Sequence, residues 1–121
     1  MYHVSKPVEL MECIASVNTD VLVIDTLLSL ASGSFLELRR ENTEEPRNTV
    51  DRALVTVPTR KAVYELVREF GYSAVTLRAD FRNESGEADW GVSHDYRDGR
   101  RSAFVCAKRS DLAKLPAEVE Q

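Results

Sequence analysis

The sequence predicts an α/β domain, and three observations carry that expectation. Val21-Leu22-Val23-Ile24 is a short β-branched and aliphatic run with no polar alternation, bracketed by Asp20 and Asp25. Such a run is expected of a strand buried on both faces between helices, and its β-branched content and brevity argue against a turn of buried helix. Val63, Leu66, Val67 and Phe70 fall at i, i+3, i+4 and i+7, the stripe of an amphipathic helix. Two further strand-like runs follow that helix, Ser73 to Ala79 and Ser102 to Ala107, with only loop signals between them.

The first element expected is a helix of about three turns. Ser5 is positioned to cap it and Pro7 is tolerated in its first turn, where a missing N–H costs nothing. Val8, Met11, Ile14 and Ala15 form its apolar stripe, widened by Leu10 and Val17, while Glu9, Glu12 and Ser16 face away. Asn18-Thr19 ends it, and the strand spans Asp20 to Thr26. Next, Phe35 to Arg39 alternates as a short half-exposed strand. Arg40 to Thr49 is a polar loop with Pro46, of a length usual for lids or disordered segments. Ala53 to Val57 is extended and stopped by Pro58.

Thr59 caps the clearest helix, and Gly71 ends it in a left-handed conformation, with Tyr72 folding back on the last turn. A strand joined to the next through a crossover helix implies a parallel pair, Asp20 to Thr26 with Ser73 to Ala79. The last strand, reached without a helix, runs antiparallel. The tail from Lys108 through Leu112, Leu115 and Pro116 clips back on the core.

At 121 residues the chain fits a single domain, 1–121. Its composition, 43% hydrophobic and 30% charged, is ordinary for a globular protein. No run approaches the roughly 18 apolar residues of a membrane span, and the N-terminus lacks a signal-peptide core, so a cytoplasmic location without membrane partners is expected. Asn83-Glu84-Ser85 matches a glycosylation sequon that means little there. A net charge of −4 gives no support for wholesale phosphate-backbone binding. Arg97, Arg100 and Arg101 are the best basic cluster, but Asp95 and Asp98 interleave with them, which marks a solvated turn. Cys13 and Cys106 lie in apolar patterns and are expected to be buried free thiols. With His3 and His94 they have no metal-ligand spacing.

The series Tyr2-His3-Val4-Ser5-Lys6-Pro7, Asp20 to Thr26, Val57-Pro58-Thr59-Arg60-Lys61-Ala62 with Phe70-Gly71-Tyr72, and Arg100 to Lys108 resembles the C-terminal half of class I S-adenosylmethionine-dependent methyltransferases. The resemblance runs from Tyr2 to about Leu115 and rests on the order and spacing of motifs that are individually unspecific. In that family a Tyr-His pair ends the fourth strand, and a helix leads to a fifth strand ending in Thr. A Pro-Ser/Thr-Arg helix start then leads to a Phe-Gly-Tyr/Phe stop before an antiparallel hairpin. The resemblance implies a partial Rossmann-like methyltransferase sheet, with a crossover helix and a C-terminal antiparallel hairpin. Residues 27–58 are its substrate-side excursion. The family's Gly-rich cofactor turn has no counterpart: Ala31-Ser32-Gly33-Ser34 carries one glycine and follows the wrong strand. The simplest expectation is a piece of a methyltransferase lacking the N-terminal cofactor-binding strands.

What the resemblance implies for function is methyl transfer from S-adenosylmethionine to a small molecule or a tRNA base in the full-length parent. His3 is then the candidate catalytic base and Tyr2 the candidate cofactor contact. Thr26, at a strand end, together with Glu37 and Arg39 in the excursion, is the candidate substrate contact, with Glu41 and Arg47 as further polar candidates. Binding of S-adenosylmethionine by this chain alone is expected to be weak or absent. Removing a neighbouring strand would expose the 20–26 edge, so the rival expectation is a non-catalytic α/β module that forms a homodimer through that edge. A nucleic-acid-binding domain, the third option, would need an aromatic-rich basic face that the sequence does not supply.

Overall fold

A computed structural model describes residues 4, 6–18, 20–40, 54–78, 80–82, 85–88, 91 and 94–108. The elements are α1 (Pro7–Val17), β1 (Val21–Leu27), β2 (Leu36–Arg40), β3 (Leu54–Pro58), α2 (Arg60–Glu69), β4 (Tyr72–Leu77), α3 (His94–Arg97) and β5 (Arg101–Lys108). The protein is mixed α/β. β1, β5 and β4 form one three-stranded sheet in that order, and β2 and β3 form a second of two strands.

β5 runs antiparallel to both of its neighbours, with Ile24 opposite Phe104 and Phe104 opposite Thr76. β1 and β4 therefore point the same way, as expected of strands joined through a helix, but they are not a hydrogen-bonded parallel pair. β5 lies between them. Sequence order could not show this, because a last strand can enter beside either earlier one.

α1 and α2 cover one face of this sheet. Met11, Ile24, Leu28, Val63, Val67, Tyr72, Phe104 and Cys106 make the core, and each of its Met, Ile, Leu, Val and Phe side chains contributes ~1.5–3 kcal/mol by leaving water. Phe104 is wholly buried, and replacing it with Ala is expected to cost ~3–5 kcal/mol. Tyr72, the first residue of β4 and not a lid on the preceding turn, sends its hydroxyl to Asn18 Oδ1 at 3.1 Å. That bond ties the end of α1 to the sheet.

The opposite face is partly open, which corrects the expectation of a strand buried on both faces. Val23 is 60% exposed and Asp25 is exposed, while Ile24 and Thr26 between them are buried. On α1 the buried stripe is Pro7 and Met11 with half-buried Ile14 and Ala15; Val8 and Val17 face out. Cys13 is exposed as well, because it lies a half-turn from Met11 and Ala15. Lys6 stands at the cap of α1 with no side-chain bond to the first turn. Ser5, the expected cap, lies outside the described residues, as do the 41–53 segment, the sequon asparagine Asn83 and the tail beyond Lys108.

Candidate functional site

The carboxyl end of β1 leads into a loop that joins the two sheets. Leu28 donates its N–H to the Arg100 carbonyl at 2.7 Å and Ser29 donates to that of Pro58 at 2.9 Å, while Thr59 donates to that of Phe35 at 3.1 Å. Thr59 also caps α2 as the sequence predicts. Its Oγ1 accepts the N–H of Ala62 at 3.2 Å and of Phe35 at 3.3 Å. Gly33 supplies the turn, at a φ of +104° that side chains rarely adopt. Between these segments is a cleft of about 490 Å³, lined by Leu28 to Gly33, Thr59, Arg60, Lys61, Tyr64 and Gly99.

Behind the cleft, polar groups interrupt the apolar face of the sheet. Arg60 donates to Thr76 Oγ1 at 3.1 Å and to Ser102 Oγ at 3.0 Å, and the Tyr64 hydroxyl meets Thr76 Oγ1 at 2.6 Å. Thr76 and Ser102 are buried, so these bonds satisfy hydroxyls that water does not reach. Tyr64 packs edge-on to Phe104 with ring centres 5.5 Å apart, and the guanidinium of Arg60 lies 6.0 Å from the same ring. The result is a rigid wall carrying a fixed positive charge.

Of the residues singled out from the sequence, Glu37 and Arg39 form a fork, Nε to Oε1 at 2.7 Å and Nη2 to Oε2 at 3.1 Å. Glu37 also accepts the hydroxyl of Ser29, which lines the cleft. Arg39 first and Ser29 second hold the Glu37 carboxyl down to about 2. Thr26 is fully buried beside Ser102, bonds the Leu27 carbonyl at 3.2 Å and does not line the cleft. Tyr2 and His3 lie outside the described residues. Val4 accepts a bond from Thr56 Oγ1 of β3 at 2.9 Å, so the chain just after His3 is tied to the smaller sheet.

Sequence reasoning missed Ser29, Arg60, Lys61 and Tyr64 as site residues. Arg60 carried a signal, since it follows the cap of the clearest helix beyond a strand end, yet its partners Thr76 and Ser102 are 16 and 42 residues away. Nor was the basic cluster wholly a solvated turn. Arg97 pairs with Asp98 on the exposed surface, but Arg101 belongs to β5 and bonds Asp25 across the open face.

Among the described residues no three His, Cys, Asp or Glu side chains assemble as a metal site, and no helix is long and apolar enough to cross a membrane. No family model, curated protein or solved structure matches the chain.

Proposed function

We propose that the chain is the C-terminal, substrate-side part of a class I S-adenosylmethionine-dependent methyltransferase that methylates a small molecule or a tRNA base. The observation that carries this reading is the strand arrangement. α2 returns the chain from the cleft to β4, which runs in the direction of β1, and antiparallel β5 completes the sheet. That agrees with the antiparallel finish the resemblance implies. The cleft beyond the carboxyl end of β1 lies where open α/β sheets receive ligands.

The described residues do not by themselves fit the cofactor. Asp25, the acidic residue near the carboxyl end of β1, is committed to Arg101 and Tyr96 on the open face. The turn Ala31 to Ser34 leads into β2 and not into a helix. In this reading the chain's own contribution is to receive the acceptor and orient it, which is the larger part of catalysing an in-line displacement. His3 is the candidate base that takes the acceptor's proton. The coding DNA upstream supplies a first test. An in-frame strand, Gly-rich turn and helix supports the reading, and the lack of even a decayed remnant counts against it.

A second reading has one observation in its favour. β1 pairs with β5 along its whole length, and among the described residues no strand pairs with its other edge. An unpaired edge beside apolar Val21 to Ile24 suits a second copy of the chain. Light scattering decides it: a dimer favours self-association, and a clean monomer at high concentration removes it.

A further inference from the structure

Arg60 is held by neutral partners among the described residues. Its bonds are to the neutral hydroxyls of Thr76 and Ser102 and its ring contact is to Phe104. Among the described residues no carboxylate lies within ion-pair distance of it. By contrast Arg39, Arg97 and Arg101 each face an Asp or Glu at 2.7 to 2.9 Å. A guanidinium has five N–H donors, and the two hydroxyls use two of them. A half-buried, fixed cation with no counter-charge among the described residues is costly, and the positive end of α2 on the same side adds to that cost.

The cleft in front of Arg60 has a definite chemistry. Leu28, Leu30 and Tyr64 give it apolar walls, and Lys61 stands next to Arg60 at the mouth. Lys61 is only loosely occupied, 3.9 Å from an exposed Glu65 that also accepts from Ser34. About 490 Å³ accommodates a small organic molecule. A guanidinium fork pre-set by two hydroxyls matches the two oxygens of a carboxylate.

We propose that this cleft binds a small organic acid, its carboxylate on Arg60, with Lys61 assisting, and its apolar body against Leu28, Leu30 and Tyr64. The inference deepens the methyl-transfer reading by naming the class of acceptor and rests on that reading for its catalytic meaning. Carboxylate binding itself needs no methyl donor. The two therefore fail separately: binding of an acid is read on the chain without cofactor.

The test is an amide-resolved NMR titration of the 121-residue chain. The probes are sodium benzoate, neutral benzamide and inorganic phosphate, at one ionic strength maintained with sodium chloride. Benzoate is expected to give saturable shifts confined to residues 28–33 and 59–64, with half-saturation below about 10 mM. Benzamide and phosphate are expected to bind at least about tenfold more weakly, because each lacks one half of the match. Arg60→Gln should weaken benzoate at least about tenfold, and Lys61→Gln, on an exposed side chain, should weaken it less while leaving the fold intact. Equal responses to benzoate and benzamide overturn the proposal without any variant, as does benzoate binding unchanged in a folded Arg60→Gln protein. Tighter binding of phosphate than of benzoate overturns it in favour of a phosphate-bearing acceptor.

Discussion

Asp25 on β1 and Arg101 on β5 stand diagonally across the open face of the sheet, with Nη1 of Arg101 2.9 Å from a carboxylate oxygen of Asp25. The Tyr96 hydroxyl donates to the other oxygen, and Tyr96 in turn packs on Phe81 with ring centres 5.3 Å apart. One carboxylate thus anchors the 94–101 segment against β1.

Replacing Asp25 with Asn is expected to lower the pKa of Tyr96. Burial is the first cause of its upward shift and the hydrogen bond to Asp25 is the second, so part of the shift remains. Phenolate absorbance against pH, with Tyr96→Phe as the reference, measures the change. A raised tyrosine pKa stabilises the fold at and below the ordinary phenol range, and that contribution is lost as the pH climbs through the raised value. The substitution should cost about 1 kcal/mol at neutral pH, since the pair is partly exposed and screened.

Glu37 titrates in the opposite sense. Its pKa is depressed to about 2, so its bonds to Arg39 and Ser29 favour the folded chain above the ordinary carboxylate range and are lost as the pH falls toward 2. Glu37→Gln should therefore flatten the acid side of the stability profile, measured by urea unfolding at several pH values. An unchanged acid limb would show that the fork does not persist in solution.

The two thiols should separate cleanly. Cys13 is exposed, whereas burial pushes the Cys106 thiol up to about 12. A thiol reagent at pH 8 is expected to modify one cysteine quickly and the second only in denaturant. Mass spectrometry of the labelled peptides identifies which.

Thr59→Ala removes the side-chain acceptor of two backbone N–H groups, those of Ala62 and Phe35. The expected loss is about 2 kcal/mol, at the upper end for a helix cap, because the second bond also secures β2's approach. Tyr72→Phe should cost about 1 kcal/mol by leaving Asn18 Oδ1 without its partner. Thermal unfolding of both variants checks the ranking.

These contacts show why some elements were legible in the sequence and others were not. α2 was readable because its signals are local: Thr59 before it, Val63 and Val67 on one face, Gly71 at a φ of +83° after it. The pairing of β2 with β3 was not, although both strands were expected, since Leu36 to Arg40 and Leu54 to Pro58 are joined by a long polar segment and not by a tight hairpin turn motif. The insertion of β5 between β1 and β4 likewise leaves no local trace. The cleft was half legible. The loop after β1 was read as the substrate side and lines the cleft, but Arg60 gains its fixed position from Thr76 and Ser102, which only the folded sheet brings to it. Cys13 was misjudged because a cysteine among apolar neighbours resembles a core residue until the helix phase is fixed.

In the proposed function this chain carries the acceptor side of a methyltransferase, and a further part of the protein supplies the cofactor side. Calorimetric titration with S-adenosylhomocysteine checks this on the 121-residue chain and on any longer product that the upstream coding DNA encodes in frame. The chain alone is expected to show no micromolar binding, and the extended protein micromolar binding. Micromolar binding by the chain itself, or none by the extended protein, would contradict it.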